Sequence, residues 1–315
     1  MRKIIIFLVA CVFSNCLANL KEELKTRRED YAKGLPQVPL NSSMRIVKSP
    51  YVTGDTFRAI SKHVFDETDR DLDVAKIAEG DTIFVNGDFL ELFFKYVYRE
   101  IKSKFILITH NSDLSFPGRF KKYLNNSKII AWCTVNPDTV HVKLHALPIG
   151  FRNHHWDVDR DAVIDRVNEQ QSLIKKHLLL MNFRIHTNLY ERKPVFDLFK
   201  SRPTCYAADT DKPFYDYLLD LREAKYCLSP FGNGRDCHRV YEAIAVGCVP
   251  IVKTSCLDQL HSHMPVLIVE DWLAVSDDFL NMKYTHLEEG IGDEFKKSLY
   301  ADFWIDKINR LRFLI

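Results

Sequence analysis

Residues 229–242 combine glycines, an arginine and a glutamate at a spacing that suits an anionic ligand. Gly232 and Gly234 permit close approach of the backbone, and the helix expected after them directs its first N–H groups at the same point. Arg239 and Glu242 are three residues apart and therefore share one face of that helix. A guanidinium suits the oxygens of a diphosphate, and a carboxylate suits the two hydroxyls of a ribose. The segment predicts a site for a nucleoside diphosphate.

The same residues also have purely structural interpretations. An Arg–Glu pair at this spacing is often a solvated ion pair, worth about 0.2–0.5 kcal/mol. Gly247 is consistent with a helix C-cap before the next strand, and Asp236 is predicted to cap the start of the helix. The chain contains neither GxGxxG after its first strand nor GxxxxGK[ST]. Its motifs therefore argue against an NAD oxidoreductase and a P-loop enzyme.

Composition excludes other classes of protein. The 44 lysines and arginines nearly balance the 42 aspartates and glutamates, so no overall field attracts nucleic acid, and we expect no such partner. Hydrophobic residues make up 46% of the 315-residue chain and charged residues 27%. These values are typical of a globular protein with one large domain or two modest ones.

The N-terminus has the pattern of a secretory signal peptide in residues 1–18. Arg2 and Lys3 precede an apolar run over residues 4–13, which is about half of the roughly 20 residues that span a bilayer. Residues 19–45 are polar, carry prolines and predict a stem. We expect export or the secretory pathway, meaning the ER or Golgi lumen in a eukaryote and the periplasm or exterior in a bacterium. No other segment is apolar enough to cross a membrane.

Beyond the stem, short apolar strands alternate with helical segments, a pattern that predicts parallel α/β sheets. We expect two α/β halves, residues 46–152 and residues 177–290. A linker helix (153–176) joins them, and an amphipathic helix (291–315) ends the chain. Strands are predicted at residues 82–85, 105–109, 128–132, 144–148, 178–181, 204–206, 226–228, 249–252 and 266–269, and helices near 90–102, 119–124, 194–200 and 214–224.

Taken together, these motifs resemble the exostosin-like glycosyltransferases of the GT-B fold. The resemblance implies two Rossmann-like domains facing a cleft, an acceptor-side domain (46–152) and a nucleotide-sugar-binding domain (177–290). Residues 228–239 with Glu242, followed by 247–251, are similar to the donor-binding half of that family. Residues 109–113 and 182–184 fit the same pattern, and the resemblance covers about residues 80–272. It implies transfer of a sugar from a nucleotide-sugar donor to a glycan or glycoconjugate acceptor, with inversion and without a cofactor. The donor-binding residues would be Arg184, Ser229, Gly232, Asn233, Gly234, His238, Arg239 and Glu242.

Inversion requires a base that accepts the proton of the acceptor hydroxyl. His110 and Asp113 follow one predicted strand and Asp88 follows another, at the carboxyl edge where open α/β sheets bind ligands. His110 and Asp113 are the first candidates, and Asp88 is the reserve. Asn, Ser and Asp in such segments are also typical of turns and caps, so a structural role stays open for each.

Two further alternatives concern metal binding and the absence of turnover. Asp157-Val158-Asp159 and Asp209-Thr210-Asp211 have the DxD pattern with which GT-A glycosyltransferases hold a divalent metal. Such triplets arise easily in acid-rich segments, so we expect no metal. A non-catalytic carbohydrate- or partner-binding protein is the alternative function. The joint presence of Arg239, Glu242 and the glycine turn argues against it, because a scaffold does not need all three.

Overall fold

The computed structural model describes residues 45, 49–69, 72–156, 159–170, 174–290 and 296–314, except for the side chains of 285–290 and 314. Within them lie two parallel five-stranded sheets flanked by helices, which confirms the predicted fold class. The predicted signal peptide, almost all of the stem and Asp157 lie outside the described residues. No helix within the described ranges combines the length and the apolar content needed to span a membrane.

The first sheet has the strand order β1-β2-β3-β4-β5, and every pair is parallel. Every residue of β2 and β3 is buried, as expected for strands covered on both faces of a parallel sheet. The sequence did not predict β1, because only Val64 and Phe65 are apolar there and polar residues flank them on both sides. The strands are β1 His63–Phe65, β2 Asp81–Asn86, β3 Phe105–His110, β4 Ile129–Thr134 and β5 Leu144–Ala146.

The second sheet is also parallel, but its strand order is β10-β9-β8-β6-β7. The chain runs from β6 to β7 on one side and then crosses to β8 on the other side of β6. The direction of winding therefore reverses between β6 and β8. The strands are β6 His177–Met181, β7 Cys205–Ala207, β8 Ala224–Leu228, β9 Val249–Lys253 and β10 Leu267–Val269.

Several predicted helices have different bounds in the structure. Within the described residues, the linker helix expected over 153–176 forms only at Arg160–Asn168, and the C-terminal helix expected over 291–315 is an α-helix only at Ala301–Leu311. The helix expected near 194–200 begins at Leu189, because Asn188 accepts a hydrogen bond from the Glu191 N–H and caps its start. The helix expected over 90–102 becomes a π-helix at Phe93–Val97 and ends there. The α-helices are α1 Gly54–Ala59, α2 Leu90–Leu92, α3 Arg160–Asn168, α4 Leu189–Phe199, α5 Phe214–Arg222, α6 His238–Ala245, α7 Asp258–His261, α8 Asp277–Gly290 and α9 Ala301–Leu311.

Three apolar clusters hold the two sheets. One lies in the N-terminal half, one lies in the C-terminal half, and the third is continuous across both. Helix α9 belongs to this third cluster through Trp304 and Ile308, and the chain before it pairs with the N-terminal half where the Val52 N–H donates to the Leu299 carbonyl. The end of the chain therefore returns to the first sheet. All six cysteines within the described residues are free thiols: Cys133, Cys205, Cys227, Cys237, Cys248 and Cys256.

Candidate functional site

The reversal between β6 and β8 opens a crevice at the carboxyl edge of the second sheet. The loops that leave these two strands run in opposite directions, and open α/β sheets bind ligands at such a point. The loop after β6 carries Asn182, Phe183 and Arg184, and the loop after β8 carries the glycine turn. The topology thus brings two distant sequence motifs to one place.

A cavity of about 700 Å³ lies over this crevice, and we call it the donor cavity. Both halves line it, the N-terminal half through Asp113, Ile149 and Arg152. Ser229 is the one predicted donor-binding residue outside its lining: its side chain is buried and its N–H donates to the Ile251 carbonyl. The predicted donor-binding residues that line the cavity are Arg184, Gly232, Asn233, Gly234, His238, Arg239 and Glu242.

The first turn of α6 points at the donor cavity without a side-chain cap. Cys237 is the N-cap residue, and no side chain accepts a capping hydrogen bond from the helix. The prediction that Asp236 caps this helix is therefore wrong. The Asp236 carboxylate instead accepts hydrogen bonds from the N–H of Cys237, the N–H of Ile149 and the hydroxyl of Tyr241. The start of α6 keeps the uncapped N–H groups and the positive dipole end that favour an anion.

Arg239 lines the donor cavity with a guanidinium that is only partly satisfied by the described part of the chain. Its Nε and Nη1 atoms are buried and form no hydrogen bond among the described residues. Among the described residues no direct ion pair joins Arg239 to Glu242, and the Glu242 side chain is almost fully buried, so the solvated-pair interpretation does not hold. Against the effect of burial, Tyr217, the neighbouring cysteines and the Glu242 carboxylate raise the pKa of Arg239. A buried cation with unused donors is costly unless a ligand satisfies it.

Arg192 is a second guanidinium beside the first, and its role is different. It lies 5.6 Å from the Phe183 ring, and Arg239 lies 6.0 Å from the same ring. Arg192 Nε donates to the Phe231 carbonyl and Nη1 to the Arg184 carbonyl, both at 2.9 Å. Burial and the neighbouring Arg239 lower the pKa of Arg192. Arg192 therefore fastens the glycine turn to the loop after β6 and adds positive charge to the wall of the cavity.

Glu242 lines the donor cavity one turn further along α6. Its side chain is almost fully buried, and its Oε2 accepts a hydrogen bond of 2.9 Å from the hydroxyl of Tyr217. Burial and the Glu242 carboxylate raise the pKa of Tyr217, so this hydroxyl stays a donor. Because the hydroxyl holds one carboxylate oxygen, the other oxygen is oriented for a ligand.

The outer rim of the donor cavity contains an exposed ion pair between Arg184 and Asp211, with 2.8 Å between Nη2 and Oδ1. Asp209 and Asp211 form the DxD triplet, and both line the cavity. The Asp209 carboxylate accepts the N–H of Asp211, and one oxygen of Asp211 is used by Arg184. No group of three or more metal-ligating side chains occurs among the described residues. Metal independence stays a prediction.

A second cavity of about 450 Å³ lies against the N-terminal half, and we call it the acceptor-side cavity. His110, Asp113 and Asp88 all line it. The His110 ring is buried, with Nε2 2.9 Å from the Pro148 carbonyl and Nδ1 accepting the N–H of Asn111 at 2.8 Å. Burial lowers the pKa of His110, so the ring is neutral and both of its nitrogens are engaged.

The two predicted carboxylates differ in position. Asp113 is exposed and lines both cavities, and its Oδ2 accepts a hydrogen bond of 3.3 Å from Asn233. Asp88 lines the acceptor-side cavity but not the donor cavity, and its Oδ1 accepts a 2.7 Å hydrogen bond from Ser112. Of the two, only Asp113 lies where both substrates of a transfer would meet.

Residues of the candidate site also form hydrogen bonds between the two halves of the chain. Asn136 Oδ1 accepts the N–H of Asp236 at 2.8 Å, and His238 Nδ1 lies 2.7 Å from the Gly150 carbonyl. A Cβ on Gly234 would stand 2.7 Å from Asn136 Nδ2, so this glycine is needed for the close approach. The glycine turn therefore serves the ligand and the interface together.

Sequence reasoning did not assign a role to several residues of this arrangement. Arg192 and Asn136 lie within residues 80–272, which the family resemblance covers, but their pairing with the glycine turn depends on folding. Tyr217 lies in a helix whose pattern indicates only a buried face. A usable signal existed at Asn136, since asparagine after a strand is typical of the left-handed conformation it adopts (φ 50°).

Comparison with known proteins adds a family match for the C-terminal half. A family model described as RXYLT1 C-terminal domain matches residues 187–288, which include the glycine turn, α6 and the loop with Asp211. The match indicates a glycosyltransferase-like protein. It does not test the exostosin-like subtype, which stays a prediction. A comparison with curated proteins finds no match.

Among solved structures, one that matches is the crystal structure of a UDP-forming α,α-trehalose-phosphate synthase from Burkholderia xenovorans. The TM-score is 0.40 and the sequence identity is 11%. The match covers 74% of this chain and 73% of that chain.

Proposed function

We propose that the protein transfers a sugar from a nucleotide-sugar donor to a glycan or glycoconjugate acceptor, and that the donor cavity holds the donor. The observation that carries the proposal is Arg239, whose buried guanidinium has unused donors in the same cavity as Glu242 and the uncapped start of α6. A diphosphate would satisfy both the guanidinium and the helix N–H groups.

The order of the lining residues suggests how the donor is oriented. The diphosphate would lie at Arg239 and the start of α6, and the ribose at the carboxylate of Glu242 that Tyr217 orients. Phe214 and residues 209–212 continue the same wall and would contact the base. The sugar would then point toward His238, where the two cavities meet.

This arrangement supports departure of the diphosphate. When the bond between the anomeric carbon and the phosphate oxygen breaks, negative charge develops on the leaving group. Arg239 and the positive end of α6 are already oriented toward that position and need no reorganisation. We propose that these groups supply the stabilisation without a metal and that attack from the opposite side inverts the anomeric carbon.

The family match supports a more specific donor. RXYLT1 is the name of a xylosyltransferase family, so nucleotide-activated xylose is the first candidate. The exostosin-like subtype and the secretory or exported location remain hypotheses that rest on the sequence motifs. The basic and apolar N-terminus supports the location.

Isothermal calorimetry of the full chain against UDP, GDP, CDP and UDP-xylose tests the proposal. We expect one nucleotide to bind, and Arg239→Ala to weaken that binding by about 10- to 100-fold, as for a charged hydrogen-bonding partner. Arg310→Ala is the matched control, because Arg310 is an exposed arginine on α9 outside both cavities.

Two results would overturn the proposal. One is that no nucleoside diphosphate binds the wild-type protein. The other is that Arg239→Ala binds as tightly as wild type while circular dichroism shows an intact fold. Binding of saccharides without any nucleotide would favour the alternative of a non-catalytic carbohydrate-binding protein.

A further inference from the structure

His238 occupies the boundary between the donor cavity and the acceptor-side cavity. Four residues line both cavities: Asp113, Ile149, Arg152 and His238. His238 is also the first residue of α6, directly before Arg239. A side chain in this position can reach the sugar end of a bound donor and a hydroxyl that enters from the other cavity.

The hydrogen bond of the ring fixes which nitrogen is available. His238 Nδ1 lies 2.7 Å from the Gly150 carbonyl oxygen, which can only accept a hydrogen bond. Nδ1 therefore carries the proton, and in the neutral ring Nε2 has a free lone pair. Gly150 has φ +65°, a conformation that favours glycine, and this backbone turn brings its carbonyl to the ring.

We infer that His238 Nε2 is the catalytic base of the transfer and that the acceptor hydroxyl enters through the acceptor-side cavity. This inference rests on the proposed function. The hydroxyl proton moves to Nε2 as the hydroxyl oxygen forms its bond to the anomeric carbon. The bond from that carbon to the phosphate oxygen breaks, and its electron pair leaves with the diphosphate beside Arg239. The imidazolium then releases its proton to solvent.

The acceptor-side cavity has the chemistry of a sugar subsite. Trp156 lines it and is 42% exposed, so one aromatic face is available for the C–H face of a sugar ring. Asn111 and Asn153 add amide groups that suit hydroxyls, and their side chains are already bonded to each other at 3.2 Å. A carbohydrate acceptor fits this lining, which also contains Arg45 and Arg152.

The other candidate bases fit the role less well. Both ring nitrogens of His110 have backbone partners, so no lone pair faces a substrate. Asp88 does not line the donor cavity. Asp113 lines both cavities, but it is exposed to solvent and its Oδ2 is engaged by Asn233. It remains the rival that an experiment must separate from His238.

His238→Asn separates base chemistry from position, because the asparagine amide can still donate to the Gly150 carbonyl but has no group equivalent to Nε2. Turnover is measured as UDP released from UDP-xylose, with water or a monosaccharide as acceptor, and affinity as the Kd for UDP. We expect kcat to fall by about 10²- to 10⁴-fold while Kd changes less than about two-fold. His263→Asn, at an exposed histidine, is the matched control.

A second measurement does not depend on turnover. In the ¹⁵N-histidine NMR spectrum, the resonances lost in His238→Asn should belong to a ring that carries its proton on Nδ1. A ring protonated at Nε2 instead would overturn the inference. So would turnover that survives His238→Asn, or that Asp113→Asn abolishes while His238→Asn does not. Failure of the proposed function is distinguishable, because then none of UDP, GDP and CDP would bind.

Discussion

Arg192 and Gly232 are packed so closely that a Cβ on Gly232 would stand 2.6 Å from Nη2 of Arg192. The guanidinium donates to carbonyls on both sides of the crevice, at Phe231 and Arg184. The lack of a side chain at Gly232 thus leaves room for Arg192, which fixes the turn, and for the ligand that the turn would hold. The two loops of the donor cavity are held together at this contact.

Gly232→Ala should therefore displace Arg192 and loosen the turn. We expect a loss of about 1–3 kcal/mol in the free energy of unfolding and weaker binding of the nucleotide found by calorimetry. Urea denaturation and calorimetry measure the two effects. Gly247→Ala is the matched control: Gly247 has φ +77° and nothing within 4 Å, so backbone strain should lower stability without changing nucleotide affinity. Equal nucleotide affinity in Gly232→Ala and wild type would contradict the expectation.

Much of the fold follows from the sequence because the strands of a parallel sheet are continuous apolar runs bounded by turns. All nine predicted strands occur within about two residues of their expected bounds, as with residues 105–109, which form β3 at Phe105–His110. The pattern did not reveal β1, where only Val64 and Phe65 are apolar between polar neighbours. It also did not reveal the start of α4, where the capping Asn188 had more influence than Pro194 further along.

The candidate site was only partly predictable. Arg239 and Glu242 share a helix face, and local spacing is sufficient to show that. The residues that hold the turn before this helix are remote in sequence. Arg192 precedes the glycine turn by about 40 residues, and Asn136 comes from the other half of the chain. The state of His110 also depends on the tertiary structure, because the Pro148 carbonyl that engages its ring lies 38 residues away. Such pairings depend on how the strands are arranged in the sheet, and the spacing of residues in the sequence does not show that arrangement.

Glu242 should set a preference for ribose over deoxyribose. Its carboxylate is oriented by Tyr217, and a charged acceptor contributes about 1.5–3 kcal/mol per hydrogen bond. Wild type should bind the ribonucleotide at least about tenfold more tightly than the 2′-deoxy form, and Glu242→Gln should reduce that ratio toward one. Calorimetry with UDP and dUDP measures it. The ratio of UDP to dUDP affinity in Tyr217→Phe should lie between the ratios of wild type and Glu242→Gln. An unchanged ratio in Glu242→Gln would exclude a ribose contact.

Burial of His110 predicts a loss of stability in acid. Its folded pKa lies below the unfolded value of about 6.5, so below that pH the unfolded chain binds a proton that the folded protein does not. The free energy of unfolding should therefore fall as pH drops below about 6.5, by up to about 1.4 kcal/mol per pH unit from this group, until its folded pKa is reached.

Urea denaturation across that pH range tests this linkage. His110→Gln, whose amide can still donate to the Pro148 carbonyl, should be less stable at neutral pH but should show a shallower pH slope. The slope should remain in His263→Gln, since His263 is exposed. Identical slopes for wild type and His110→Gln would mean that the ring is not held neutral.

Arg184 should affect binding more than stability. Its ion pair with Asp211 is exposed, and such pairs contribute about 0–1 kcal/mol, so Arg184→Ala should unfold almost as wild type does. If Arg184 contacts the diphosphate, the same variant should bind the nucleotide more weakly, with the difference shrinking at high salt. Asp211→Asn should change affinity in the opposite direction, because it releases Arg184 and removes a negative charge from the rim. Weaker binding in Asp211→Asn would point to a direct role for that carboxylate.

Asn136 should couple the stability of the interface between the halves to nucleotide binding. It is fully buried, adopts φ 50° and accepts the N–H of Asp236 at 2.8 Å. Asn136→Gly leaves that N–H without a partner, at about 1–3 kcal/mol. Asn136→Ala adds about 1–2 kcal/mol for the left-handed backbone. Stability by urea denaturation should therefore fall in the order wild type, Asn136→Gly, Asn136→Ala.

Nucleotide affinity should fall in both Asn136 variants, because the turn before α6 loses its hydrogen bond to Asn136. Equal stability of the two variants would show that the backbone relaxes. Unchanged affinity would show that the turn is held by the Ile149 and Gly150 contacts alone.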